Sequence, residues 1–144
     1  MKVTLDINVL LDVFQKREPH YVASAQVVSL VTAGTLAGVC PAHGLTTLYY
    51  LVRKHASKPD AEGAMDQVLR HFQIGNLEAA DWEEARRLPM PDFEDAVVAT
   101  VARVTGSAFI ITRNLAVSGL GPGTVRVRPG FSPARLVAGH QQQF

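Results

Sequence analysis

Short apolar runs alternate along the chain with longer segments in which apolar residues recur every three or four positions. Short runs bounded by polar or turn-forming residues are typical of buried strands, and the three- or four-residue spacing is typical of helices packed on a core. The pattern predicts strands at residues 2–5, 36–40, 73–77, 108–111 and 125–128. Because strands and helices alternate, we expect an α/β fold, a three-layer α/β/α domain built on a parallel sheet.

The helices are predicted between the strands, and proline and glycine mark several of their ends. They are expected at residues 9–14, from 19 to a stop at 34, from 41 to 55–57, from 60 to 72, 78–88, from 92 to a stop at 106, and in a short segment from 132. The segment from 92 has the strongest helical pattern, and Trp82 is predicted to anchor the 78–88 helix in the core. Residues 119–123 are glycine-rich and are predicted to form a loop.

The composition is that of one globular domain. Of 144 residues, 47% are hydrophobic and 19% charged, so we expect a single domain over residues 1–144. Polar residues interrupt the apolar stretch 22–40 well before the roughly 18 consecutive apolar residues of a membrane span, and Asp6 falls where the apolar part of a signal peptide would lie. We therefore expect a cytoplasmic protein with no membrane segment. The single cysteine, Cys40, has apolar neighbours and is expected to be a buried, unreactive thiol.

The charges are unevenly distributed, although the formal net charge is only +1. No Asp or Glu follows Asp95, and the final third of the chain carries Arg103, Arg113, Arg126, Arg128 and Arg135. This split predicts a basic surface beside an acidic site, as in an enzyme that acts on a polyanion. The alternative is a scatter of solvated arginines.

Polar side chains follow three of the predicted strands. Asp6 and Asn8 follow the first strand, His43 with Thr46 and Thr47 follows the second, and Thr112-Arg113-Asn114 ends the fourth. Ligands of open parallel sheets bind at the carboxyl ends of the strands, so Asp6 is a candidate functional residue. The alternative for Asp6 is a cap on the helix that follows it.

A second acidic group, Asp92-Phe93-Glu94-Asp95, begins the strongest helix. The spacing places Asp92 and Asp95 on one helix face and points Glu94 elsewhere, although such a motif can also simply cap the helix. If these carboxylates converge with Asp6, they repel one another, and a hard cation such as Mg²⁺ or Mn²⁺ is their natural complement. Such a cation can bind a phosphate oxygen and lower the pKa of a bound water in phosphodiester cleavage.

Four motifs, in order, resemble those of the PIN-domain ribonucleases. They are Leu5-Asp6-Ile7-Asn8-Val9-Leu10-Leu11-Asp12, Tyr49-Tyr50-Leu51-Val52-Arg53-Lys54, Asp92-Phe93-Glu94-Asp95-Ala96 and Ile111-Thr112-Arg113-Asn114. The chain looks most like the subgroup with Asp-Phe-Glu-Asp-Ala and Thr-Arg-Asn motifs. The resemblance implies a five-stranded parallel sheet, a Mg²⁺ or Mn²⁺ site, and RNA cleavage. Many bacterial and archaeal members are VapC-type toxins held inactive by a small antitoxin, which makes RNA, an antitoxin and a second copy of the chain the expected partners.

The chain departs from the family pattern at two positions. The family usually supplies a Glu from the helix after the second strand, where Thr46 or Thr47 stands, and the acid that often follows Thr-Arg is Asn114. The remaining acids favour one metal ion over two. The predicted catalytic and metal-binding residues are Asp6, Asp92 and Asp95, and the predicted pocket rim is Asn8, Thr46, Glu94, Thr112 and Asn114.

Arg113 is the best-placed candidate for binding a substrate phosphate, with Arg53 and Lys54 as further RNA-binding candidates. The alternative for Arg113 is a salt bridge to Asp92 or Glu94. His43 and His55 are candidates for proton transfer or for purely structural roles.

Three functional hypotheses follow. The first is a metal-dependent endoribonuclease, the toxin of a toxin-antitoxin pair. The second is a catalytically impaired PIN-like module that binds RNA or protein. The third is another α/β phosphotransfer protein, for which a receiver domain would need a Lys where Thr112-Arg113 stands and a haloacid-dehalogenase-like phosphatase would need Asp in place of Asn8.

Overall fold

A computed structural model of the chain describes residues 1–113 and the backbone of residues 124–126. The elements, in chain order, are β1 (Lys2–Leu5), α1 (Ile7–Phe14), α2 (Tyr21–Thr32), β2 (Ala37–Pro41), α3 (Gly44–His55), α4 (Lys58–His71), β3 (Phe72–Gly75), α5 (Ala79–Arg87), α6 (Phe93–Thr105), β4 (Phe109–Thr112) and β5 (Thr124–Arg126). The predicted loop at 119–123 and the predicted helix from 132 lie outside the described residues.

The sheet is parallel throughout, in the order β3-β2-β1-β4-β5. Within residues 1–113 it has four strands rather than the five expected of the whole domain, and the backbone of the three-residue β5 continues it beside β4. The predicted parallel α/β sheet is confirmed. Since β1 lies at its centre, the residue that follows β1 emerges in the middle of the carboxyl edge.

Helices pack on both faces of the sheet because alternate strand residues point to opposite sides. Val3 and Leu5 of β1 belong to the larger core, which they form with residues of α1 to α4. On the other face Val39 of β2 packs with residues of α5 and α6, and each fully buried Val or Leu contributes roughly 1.5–3 kcal/mol. The result is the expected three-layer arrangement, with α6 behind the strands that carry the site.

Local caps set the ends of the helices that frame the site. The Asp92 side chain accepts a hydrogen bond of 3.0 Å from the backbone N–H of Asp95, which caps the start of α6. Gly106, with φ 72°, ends α6 in the left-handed conformation that glycine adopts at little cost. The strongest helical pattern in the sequence is therefore real and has the predicted start and stop.

Several sequence predictions need correction. The first helix begins at Ile7 and the second at Tyr21, rather than at residues 9 and 19. Trp82 is not a core anchor: it is 37% exposed, and the small side chain of Ala85 makes the buried contact between α5 and its neighbours.

Two further expectations concern Cys40 and the membrane. Cys40 is fully buried as predicted, and burial raises the pKa of its thiol to about 12, so it stays protonated and unreactive. Among the described helices, none has both the length and the apolar composition needed to cross a bilayer.

Candidate active site at the carboxyl edge of the sheet

Asp6 is the centre of the site and is held from three directions. Its backbone N–H donates to the carbonyl of Ile111 at 2.9 Å, which ties the end of β1 to β4. One carboxylate oxygen accepts from the hydroxyl of Thr112 at 3.1 Å, and the other accepts from the backbone N–H of Asn8 at 3.4 Å. The side chain is 7% exposed, so Asp6 both caps α1 and keeps a fixed orientation at the sheet edge.

The acids at the start of α6 lie within the electric field of Asp6. Burial, followed by the charges of Asp92, Asp6 and Glu94, raises the pKa of Asp95 to about 6. Burial also raises the pKa of Glu94, with Asp6 and Asp92 adding to the effect. Glu94 was expected to point away from the other acids, yet it shares their field. We call Asp6, Asp92, Glu94 and Asp95 the acidic group.

His43 reaches the same edge from the start of α3. A Cβ on the next residue, Gly44, would lie 3.0 Å from Cδ1 of Ile7, so the missing side chain allows α3 to approach the chain just after Asp6. Burial lowers the pKa of His43, and the negative charge of Asp6 partly opposes that effect. His43 is therefore the histidine candidate that lies beside the acids, whereas the exposed His55 ends the same helix at its far side.

The acidic group suits a hard cation in charge and donor type. None of the ion pairs within residues 1–113 includes a member of the acidic group, so its negative charge is not balanced by a basic side chain in that range. However, no three His, Cys, Asp or Glu side chains in the described residues are arranged to enclose a metal ion. An ion held here would take at most two protein carboxylates and complete its coordination with water, as Mg²⁺ usually does.

The predicted rim residues are only partly brought together. Asn8 and Thr112 bond directly to Asp6, as described above, and Glu94 belongs to the acidic group. Thr46 is exposed in the first turn of α3, and no contact within the described residues joins it to the acids. Asn114 lies outside the described residues.

Arg113 forms an ion pair with an acid that was not among its predicted partners. Its Nε lies 3.3 Å from a carboxylate oxygen of Asp12, a residue with no exposed surface, and not beside Asp92 or Glu94. The same oxygen of Asp12 accepts a hydrogen bond from the Ser24 hydroxyl at 3.0 Å. The Arg113 contact is close enough for an ion pair but poorly directed for a hydrogen bond, and the second Asp12 oxygen has no partner in the described part of the chain.

The other basic candidates within residues 1–113 are used elsewhere or lie away from the acids, whereas Arg128, Arg135 and the side chain of Arg126 lie outside the described residues. Arg103 pairs with Glu84 at 2.6 Å and Asp81 at 3.9 Å, which removes it from the predicted basic surface. Arg53 and Lys54 are exposed near the end of α3, about 15 Å along the helix from His43 at 1.5 Å per residue. Their RNA-binding role stays a prediction, on a surface separate from the acidic group.

Comparison with known proteins identifies the family. Residues 2–116 match the model of the PIN domain. The chain is 25% identical over 118 residues to Ribonuclease VapC1 of Aquifex aeolicus, covering 78% of this chain and 81% of that protein. This chain belongs to the PIN-domain family.

Solved structures show the same fold at low sequence identity. VapBC2 from Rickettsia felis, bound to a DNA fragment from its promoter, matches with a TM-score of 0.61 and 20% identity, over 88% of this chain and 97% of that one. VapC20 of Mycobacterium tuberculosis, described as a sarcin-ricin loop cleaving toxin, matches with a TM-score of 0.65 and 16% identity, over 88% and 99%. These likenesses establish the fold, which is the PIN-like α/β fold that the motifs predicted.

Proposed function

We propose that this chain is a metal-dependent endoribonuclease and the toxin of a toxin-antitoxin pair. The observation that carries the proposal is Asp6, a nearly buried carboxylate that is fixed by Thr112 and Asn8 and interacts electrostatically with two further acids, Glu94 and Asp95. The relatives support it: one is named a ribonuclease, and a similar structure from Klebsiella pneumoniae is described as a toxin-antitoxin complex. The proposal includes Mg²⁺ or Mn²⁺, an antitoxin partner, a homodimer and a cytoplasmic location.

Each residue of the proposed mechanism has a limited task. Asp6 and Asp95 are the two oxygen donors that would hold the cation, and Asp92 lies beside Asp95 at the start of α6. A bound Mg²⁺ or Mn²⁺ supplies Lewis acidity toward a phosphate oxygen and toward a water molecule. The Thr112 hydroxyl fixes the orientation of the Asp6 carboxylate, so this donor needs no rearrangement when the ion and substrate arrive.

The test is RNA cleavage by the purified chain with Mn²⁺ or with a chelator. Asp6→Asn keeps the size of the side chain and an acceptor oxygen but removes one ligand charge, so we expect Mn²⁺-dependent cleavage to fall by about 10²-fold or more. The matched control is Asp66→Asn, which makes the same charge change at an exposed site on α4 and should leave cleavage unchanged. Equal cleavage by the Asp6 variant and the wild type would locate the activity elsewhere.

A second candidate function is a PIN-like module that binds RNA or protein without cutting. It is favoured by the absence of three gathered metal-binding side chains within the described residues, and by the exposed Thr46 where the family usually has Glu. Retained RNA binding with no cleavage in Mn²⁺, by wild type and Asp6→Asn alike, would support this second function.

A further inference from the structure

Three rings form a row across the surface between α3, α5 and α6. The Trp82 ring on α5 lies 6.2 Å from the ring of Phe93, the first residue of α6, with the planes tilted by 44°. Trp82 also meets the His43 ring edge-to-face, with centroids 6.1 Å apart. We call His43, Trp82 and Phe93 the aromatic row.

Both ends of the aromatic row border the acidic group. Phe93 lies directly between Asp92 and Glu94 in the chain, and His43 lies in the field of Asp6 next to the close packing of Gly44 on Ile7. A polymer with one phosphate at the acidic group must therefore place its neighbouring units close to the row.

The rings of Phe93 and Trp82 are exposed, and neither is required for the buried packing of its helix. Phe93 is 48% and Trp82 37% exposed, while Ala85 makes the buried contact of α5. Covering the apolar surface of such exposed rings with a ligand is energetically favourable, and the flat ring faces favour planar ligands.

An exposed cation continues the same surface. Arg86 follows Trp82 by four residues on α5, so the two side chains share one face of the helix. The acids Asp81 and Glu84 of that helix pair with Arg103, and Arg86 is exposed with no ion pair to any residue in the described range. Aromatic rings beside an unpaired cation are the combination by which proteins bind single-stranded nucleic acid, because bases stack on the rings and phosphates pair with the cation.

We infer that the aromatic row is a stacking platform for an unpaired base of the RNA, next to the nucleotide whose phosphate lies at the acidic group. Phe93 and Trp82 stack on the base, and Arg86 contacts the phosphate on its outer side. This inference rests on the proposed function for the identity of the polymer. It adds a structural requirement that metal chemistry alone does not impose, since the strand must be unpaired where it crosses α5.

Trp82 reports on this contact directly because it is the only tryptophan of the chain. The experiment titrates the full chain, in chelator, with a fluorescein-labelled ten-nucleotide oligoadenylate and with an abasic oligomer of equal phosphate number. Binding is measured by anisotropy of the label, and stacking by intrinsic tryptophan fluorescence with an unlabelled oligomer. We expect oligoadenylate to quench Trp82 and to bind about tenfold more tightly than the abasic oligomer.

Variants separate stacking from simple apolar contact. Trp82→Ala and Phe93→Leu should each weaken oligoadenylate binding about tenfold and leave abasic binding unchanged, whereas Phe93→Tyr should keep wild-type affinity. Arg86→Ala should weaken both oligomers and lower the salt dependence of binding. The control is Leu69→Ala, an apolar residue of α4 that is 59% exposed, which should change neither.

The outcomes distinguish this inference from the proposed function. Quenching of Trp82 by oligoadenylate, in a chain that shows no Mn²⁺-dependent cleavage, would keep the platform and reject the nuclease. Cleavage with no quenching, or with full activity in both Trp82→Ala and Phe93→Leu, would keep the nuclease and overturn the platform. Wild-type binding by Phe93→Leu with equal affinity for both oligomers would also overturn it and point to a protein partner on this surface.

Discussion

Asp6 and Asp12 lie six residues apart, and Asp6 is almost fully buried while Asp12 is fully buried. The negative charges of the two carboxylates have opposite surroundings. Asp12 has no exposed surface and meets a guanidinium from Arg113 and a hydroxyl from Ser24. Within the described residues, Asp6 receives side-chain hydrogen bonds from two neutral donors, and its negative charge adds to that of other acids by raising the pKa of Glu94 and Asp95.

The difference separates a structural acid from the acid that we propose to be functional. A buried charge is costly unless it is paired, so the partner of Asp12 makes it part of the fold. The negative charge around Asp6 has no such partner within residues 1–113, and a protein that keeps it gains something other than stability. Burial alone does not distinguish the two residues, whereas the sign of the neighbouring charges does.

The largest expected effect is on the free energy of unfolding, and it comes from a substitution at Asp12. Asp12→Asn keeps the size of the side chain but removes the charge that Arg113 faces, and we expect a loss of about 2 kcal/mol in the free energy of unfolding. This is below the usual range for a broken buried pair because the Arg113 contact is poorly directed. Urea unfolding measures it, with Asp6→Asn as the matched control that should lose little or gain stability.

Arg113→Ala completes a double-mutant cycle with the Asp12 variant. If the pair is structural, the double variant loses less stability than the sum of the two single losses. Additive losses, or an Arg113→Ala protein of normal stability with weaker and less salt-dependent RNA binding, would return Arg113 to the role of a phosphate clamp.

A smaller effect concerns the pH dependence at Asp95. Its pKa is raised in the folded chain to about 6 from 3.8, so the folded state binds the proton more tightly and this group costs stability as pH rises from about 4 to about 6. Asp95→Asn removes that cost, and we expect its Tm in chelator to exceed the wild-type Tm by a few degrees at pH 7. The difference should disappear near pH 4, and a constant difference across this range would show that repulsion is not the cause.

The smallest effect is on the titration of His43. The charge of Asp6 raises the pKa of His43 against the opposing effect of burial, so Asp6→Asn should lower that pKa further. NMR titration of the imidazole signals measures the change, and the other histidines in the same spectra are the control. An unchanged His43 titration would mean that the two side chains are not electrostatically coupled.

Much of the fold was predictable because two signals agree along the chain. The spacing of the hydrophobic residues and the positions of the residues that start or end helices indicate the same elements. The start and stop of α6 follow from two local effects: the Asp92 side chain caps the first turn, and Gly106, which has no side chain, adopts the left-handed conformation that ends the helix. The prediction that Trp82 is a core residue was wrong for a different reason. A large apolar residue in a helix is usually buried, but here Ala85 fills the space between α5 and α6, and the larger Trp82 ring stays at the surface.

The site was predictable in part. Asp6 and the acids of α6 could be predicted as candidates because strand ends and helix starts can be read from sequence, and the parallel topology brings strand ends to one edge. The pairing of Asp12 with Arg113 was missed because it joins residues about a hundred positions apart and no local pattern announces it. His43 was one candidate among several until the close approach at Gly44 located it beside the acids.

The hydrogen bond from Thr112 to Asp6 spans 106 positions of the chain, from nearly the first residue to the end of β4. During synthesis, about 5–20 s therefore pass between the addition of Asp6 and the addition of Thr112 at ordinary translation rates. The acids of α6 also arrive late, so the acidic group is incomplete on every nascent chain that ends before residue 95, and the hydrogen bond that orients Asp6 is absent until Thr112 is added. A chain of this design therefore cannot complete the proposed active site, with the Asp6 carboxylate held in its final orientation, until β4 has been made.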